Sequence, residues 1–101
     1  MENHDKLFRM LGLAQRARKL TFGMDATLSA EKRGKLKAVI LSSDISENAK
    51  RKIESNIDGE KIAISGTVSK DAFGELFKRM ELGIIGIVDA SFAKAIRENL
   101  R

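Results

Sequence analysis

Three short apolar runs constrain this chain more than any other feature: Ala38-Val39-Ile40-Leu41, Ile62-Ala63-Ile64 and Ile84-Ile85-Gly86-Ile87-Val88. Runs of this length, without polar alternation, suit strands buried on both faces. Between them apolar residues recur at helical spacing. Leu7, Met10, Leu11, Ala14 and Ala17 share one face of a helix from Asp5 to about Arg18, with Asp5 placed to cap its start. A brief strand at Lys19–Phe22 follows, and Gly23 opens a second helix ending near Gly34, a suitable carboxyl-terminal cap. Ser46 or Asp44 caps a third helix, roughly Ser46–Asn56, and Asp58-Gly59 makes a turn. Ser65-Gly66-Thr67 closes the second apolar run. Phe73, Leu76, Phe77 and Met80 mark the apolar face of a helix over Asp71–Met80, and Phe92, Ala95, Ile96 and Leu100 that of a last helix, Ser91–Leu100. Strands alternating with helices of this length predict an α/β fold: a three-layer α/β/α sandwich around a four-stranded mixed, mostly parallel sheet.

What the chain lacks narrows its chemistry. Its 101 residues, 43% of them apolar, suffice for the core of one domain spanning residues 1–101. Without cysteine there is no disulfide, thiolate metal site or cysteine nucleophile, which fits a reducing compartment. No apolar run approaches the roughly 20 residues of a membrane helix. The segment Met1-Glu2-Asn3-His4-Asp5-Lys6 lacks the basic-then-apolar pattern of a secretion signal. A soluble cytoplasmic domain without a membrane partner is therefore expected. The one histidine, His4, lies in a terminus expected to fray, so neither a histidine triad nor a zinc site is expected. No glycine-rich phosphate loop occurs, and Gly83 and Gly86 read as points of close packing. Asp44 follows the Ala38–Leu41 strand at the edge where α/β folds bind ligands, with Ser65 and Thr67 at the next strand end, which admits a phospho-acceptor reading. That chemistry also needs an acidic pair at the end of the first strand to hold magnesium, and the turn Gly23-Met24-Asp25-Ala26 supplies one carboxylate only. Asp44 reads better as a helix cap. No catalytic residue, metal or cofactor is expected.

Charge points elsewhere. Residues 1–37 hold nine basic residues (Lys6, Arg9, Arg16, Arg18, Lys19, Lys32, Arg33, Lys35, Lys37) against four acids, while residues 38–101 hold ten of each. The whole net charge of +5 thus lies in the first third, the footprint of a nucleic-acid binder or of a surface that keeps the protein in solution. Arg9, Gly12, Arg16 and Lys19 follow at helical steps and share one face, expected to end beside Gly23. There the second helix begins, its free amides and positive dipole end turned outward beside arginine and lysine, a ready phosphate site. A plain turn, with Asp25 complementing the dipole, explains the same residues.

The run Leu11-Gly12-Leu13-Ala14-Gln15-Arg16-Ala17-Arg18-Lys19-Leu20, then Gly23, resembles the opening of the YlxQ-like bacterial branch of the L-seven-Ae type of ribosomal-protein superfamily. The similarity continues through Arg33-Gly34, Ala38–Leu41 with Asp44, Phe73-Gly74, and Ile87-Val88-Asp89 with Phe92-Ala93-Lys94, nearly the whole chain. It implies an α/β/α sandwich that binds kink-turn RNA. In that family the second helix begins with Gly-Thr-Asn-Glu or a variant, which reads tandem sheared G·A pairs while nearby lysines hold the backbone. Carried over by position, Gly23, Arg33 and Lys37 match the family's site; together with the basic face read above, Gly23, Met24 and Asp25 would meet bases, and Arg16, Lys19, Arg33 and Lys37 would neutralise phosphates. Leu82 and Ile84, in the loop before the last strand, would cover an unstacked base. Met24 replaces threonine or alanine, Asp25 asparagine, Ala26 glutamate and Ser29 lysine. A carboxylate only accepts hydrogen bonds and repels phosphate, so these changes alter the chemistry offered to RNA. The resemblance implies a monomeric, non-catalytic partner of structured RNA, a kink-turn or ribosomal RNA, in the setting of the ribosome. A protein-interaction module that docks an acidic partner through the basic third is the alternative.

Overall fold

The computed structural model describes residues 4–100; of the amino-terminal segment considered above, Met1–Asn3 lie outside them. Ten elements follow one another: α1 (Asp5–Arg16), β1 (Leu20–Phe22), α2 (Met24–Lys32), β2 (Ala38–Leu41), α3 (Glu47–Asn56), a 3-10 turn (Gly59–Lys61), β3 (Ile62–Ile64), α4 (Lys70–Leu76), β4 (Ile84–Ile87) and α5 (Ala90–Glu98). The sheet order is β1-β4-β2-β3.

The sandwich follows from strand alternation. Ala38 and Ile40 of β2, with Ile85 and Ile87 of β4, join a core with Leu7, Leu11 and Ala14 of α1, Phe73 of α4 and Ile96 of α5. Their neighbours Val39, Leu41 and Ile84 turn the other way, onto Ala30 of α2 and Ile53 of α3. A strand buried on both sides needs no polar alternation, which is why these runs are continuously apolar.

The sheet is mixed as expected, but its balance of directions differs from the expectation. β2 and β3 pair in parallel, whereas β4 pairs antiparallel with both β1 and β2. The helical crossovers do keep β1, β2 and β3 pointing the same way. β4 returns in the opposite sense and occupies the lane between β1 and β2. Gly86 makes that lane narrow enough: a Cβ there would collide with Thr21 Oγ1 and come within 3.0 Å of Leu36 Cδ1. Thr21 and the fully buried Thr27 share a 2.9 Å hydrogen bond over this glycine, tying β1 to α2.

Helix ends explain the remaining differences. α1, α2 and α4 each close with the same pair of carboxyl-terminal bonds, Lys19 N–H to Ala14 O, Lys35 N–H to Ala30 O and Arg79 N–H to Gly74 O being the longer-range members. The residue that must turn left-handed is Gly34 in α2, but Arg18 (φ 60°) in α1 and Lys78 (φ 58°) in α4. α4 therefore stops at Leu76, and Met80, expected inside this helix, lies beyond its end at 95% exposure. Asp5 is not the cap of α1: His4 holds that position without a side-chain capping bond, its ring stacked 5.6 Å from that of Phe8 and its Nε2 3.2 Å from Thr67 Oγ1. Ser46 caps α3 through the Ala49 N–H. Asp44 serves α4 instead, accepting from the Lys70 N–H at 2.8 Å.

Candidate nucleic-acid interface

With β4 reversed, one edge of the sheet collects the carboxyl ends of β1, β2 and β3 and the amino end of β4. α2, α3 and α4 each start there, so three positive dipole ends share one rim; first-turn amides of α3 and α4 are met by Ser46, Asp44 and Ser69, whereas α2 begins at Gly23 without a side-chain cap. Two backbone bonds stitch this rim together: Gly23 N–H to Ile84 O at 2.9 Å and Ser42 N–H to Gly83 O at 3.0 Å. The start of α2 and the loop before β4 are thus neighbours, although distant in sequence.

Gly23 adopts φ 88°, ψ 175°, a conformation open to glycine and strained for any L side chain. Its own chain neighbours apart, no atom lies within 4 Å of the point where its Cβ would stand. The backbone is therefore bare at the site's centre. Asp25, exposed in the first turn, complements the dipole and offers acceptors only. Met24 is half-buried against the α2–α3 core. Ser29 and the terminal Arg33 follow Asp25 at steps of four along the exposed side of α2, a stripe about 12 Å long.

The loop before β4 contributes in a way the sequence reading did not anticipate. Leu82 and Ile84 are only 4% and 6% exposed and are packed into opposite cores, so neither side chain offers cover to a base. The apolar side chain that faces outward is Met80. Beside it the Arg79 guanidinium lies 4.5 Å above the ring of Phe22, the residue before Gly23, and Phe22 rests on Phe77 at 4.8 Å. Gly74 lets this loop lie down: a Cβ there would be 2.8 Å from Arg79 O and 3.0 Å from Met80 O. The sequence carries no glycine or proline to mark this helix end; the left-handed Lys78 that sets it is seen only in the structure.

Other expected contacts lie elsewhere. Helical spacing cannot be carried through the left-handed Arg18, so the face bearing Arg16 does not run on to Gly23. Lys19 precedes β1 and Gly23 follows it, about 13 Å apart at strand rise. Lys19 O accepts from Val88 N–H and Lys37 N–H donates to Ile87 O, which puts both lysines at the far end of β4. Arg16, Lys19 and Lys37 thus belong to the opposite edge of the sheet, and Arg33, at the carboxyl end of α2, lies toward that edge as well, at the far end of the stripe that starts with Asp25.

At the rim, Asp44 is held below the usual carboxylate range, chiefly by the Lys70 N–H it accepts. That bond ties Asp44 to the first turn of α4, whose N-cap is Ser69, accepting from the Ala72 N–H. Among the described residues no group of three or more acidic, histidine or cysteine side chains is placed to hold a metal ion. Nor is any helix among them long and apolar enough to cross a membrane.

Comparison with known proteins agrees with this architecture. Residues 5–96 match the model of the ribosomal protein L7Ae/L30e/S12e/Gadd45 family. The chain is 30% identical over 96 residues to an RNA-binding protein YlxQ from Enterococcus faecium, covering 95% of this chain and 92% of that one. It is 27% identical over 89 residues to the Bacillus subtilis RNA-binding protein YlxQ, covering 88% and 89%. A solved structure from Bacillus halodurans C, of a protein with unknown function, superposes with a TM-score of 0.81 at 30% identity, covering 94% of this chain and 96% of its own.

Proposed function

Because the chain belongs to the ribosomal protein L7Ae/L30e/S12e/Gadd45 family, we propose that it is a non-catalytic RNA-binding protein that recognises structured, kink-turn-like RNA. The bare Gly23 backbone beside the Arg79–Phe22 stack is the observation that carries this reading. A kinked RNA exposes base edges at close range, and only a backbone without a Cβ can approach them. The first turn of α2 then supplies amides and one carboxylate, Arg79 a cation beside phosphate, and Met80 an apolar surface for an unstacked base. Toward the opposite edge, Arg33, Arg16, Lys19 and Lys37 hold flanking backbone. The names of the YlxQ relatives support an RNA partner. On this reading residues 1–101 act as one monomeric, cytoplasmic domain without cofactor, in the setting of the ribosome.

The test is fluorescence anisotropy with a kink-turn RNA and the same RNA carrying Watson–Crick pairs in place of its G·A pairs. The kinked RNA should bind more tightly, with affinity falling steeply as salt rises. Arg79→Ala with Met80→Glu should weaken it more than Arg16→Glu with Lys19→Glu. Equal affinity for both RNAs would refute recognition of the kink, and equal losses from the two double variants would refute the position of the site.

A further inference from the structure

The sheet order leaves β3 with one unpaired side. The Ser65 N–H donates to Leu41 O, which sets the phase of the ladder: Ala63 turns its backbone groups to β2, and Ile62 and Ile64 turn theirs outward. Ile62 N–H is taken by Gly59 O, which leaves Ile62 C=O and both groups of Ile64 facing out. Ile64 itself is 47% exposed, although it is aliphatic and sits in a strand.

A groove flanks this edge on each face of the sheet. On the α5 side, one of about 690 Å³ has Ala63 and Ala93 in its floor and Lys37, Lys94 and Arg97 on its rim. On the α3 side, one of about 450 Å³ is lined by Glu54, Gly59 and Ile62. Ile64 lines both. An extended peptide laid along β3 would send alternate side chains to opposite faces, hence into the two grooves in turn. The first groove carries three cations against the single carboxylate of Glu98; the second has no cation and an apolar wall.

We propose that the β3 edge is a docking site for an extended acidic segment of a partner protein, added as a fifth strand. Its acidic side chains, at every second position, meet Lys94 and the Arg97 guanidinium, which also donates to Glu60 O at 2.7 Å, and the aliphatic ones between them rest on Ile62 and Ile64. RNA is the poorer occupant, because Glu54 and Glu98 repel phosphate while the strand offers backbone groups spaced for another strand. A second copy of the chain is poorer still, since its own Lys94 and Arg97 would face these. The site goes beyond the RNA reading and lies across the sheet from β1.

The probe is a short fluorescent peptide of alternating glutamate and valine, with a control of the same composition in two blocks, and a version N-methylated at alternate residues. The alternating peptide should bind, and amide shifts should be confined to β3 and the facing side of α5. Lys94→Glu should weaken it about tenfold. N-methylation on the hydrogen-bonding side should abolish binding to the unaltered protein, a readout that does not depend on a variant folding. Ile64→Pro, which deletes the outward N–H on an edge where proline is tolerated, should do the same if its circular dichroism is unchanged. Equal binding of the blocked peptide, displacement by an unstructured RNA at equal strength, or self-association in place of peptide binding would overturn the proposal.

Discussion

Replacing Gly23 by alanine isolates backbone geometry from packing. The new methyl would touch nothing beyond its own chain neighbours, as no other atom lies within 4 Å, so any loss comes from φ 88°. Holding an L residue in so sparse a region costs about 1–3 kcal/mol. Alanine also narrows the unfolded ensemble, which returns about 0.4–1 kcal/mol. A net loss of about 1–2 kcal/mol is expected, which for a chain of this size lowers Tm by roughly 5–15 °C. The sequence lacks tryptophan and tyrosine, so far-ultraviolet circular dichroism under heat and urea is the suitable assay. A semisynthetic protein with D-alanine at this position supplies the opposite sign: the same angles are relaxed for the D residue, and stability should rise slightly. If L-alanine is as stable as glycine, or D-alanine is the worse of the two, the strained turn into α2 is not what this glycine provides.

Gly86→Ala has no room beside Thr21 and Leu36; overpacking of this kind costs about 1–3 kcal/mol, read as a lower urea midpoint, and Thr21→Ser should recover none of it because the hydroxyl is the clashing atom. Lys78→Gly relieves a left-handed lysine and should stabilise the protein by up to about 1 kcal/mol in the same titration, with Arg79 still seated on Phe22. Asp44 has a folded-state pKa below its unfolded one, so its support of α4 is complete above the usual carboxylate range, roughly pH 4, and is lost as pH falls through the lowered value. The Lys70 amide resonance should report that titration, and in Asp44→Asn its acid-dependent shift should vanish.

The layers of this fold are legible because continuous apolar runs can only be strands covered on both sides. Val39 and Leu41 against Ala38 and Ile40 already imply two helical layers. Strand direction was not legible for β4, since a helical connection reads the same whether the chain crosses over or doubles back. Met80 continues the spacing of Phe73, Leu76 and Phe77, and no glycine or proline marks the helix end before it. Periodicity therefore put an exposed side chain in the core. The same blindness to a left-handed residue extended the α1 face through Arg18 to Gly23. Leu82 does lie in the loop before β4, Ile84 is already the first residue of that strand, and both face inward, because spacing alone does not say which side of a sheet a residue at its margin faces.

The reversed lane of β4 also sets an order of events during synthesis. β1 and β2 cannot be bridged until residues 84–87 have been made, and the hydrogen bond from Gly23 to Ile84 waits for the same segment. At roughly 5–20 residues per second, several seconds of translation separate the two halves of that contact. Until then β1 lacks the strand it pairs with, since its sheet partner is β4. The rim around Gly23 thus comes into being only with the last strand made, and a chain that ends before residue 84 carries the start of α2 without the backbone bond that seats it.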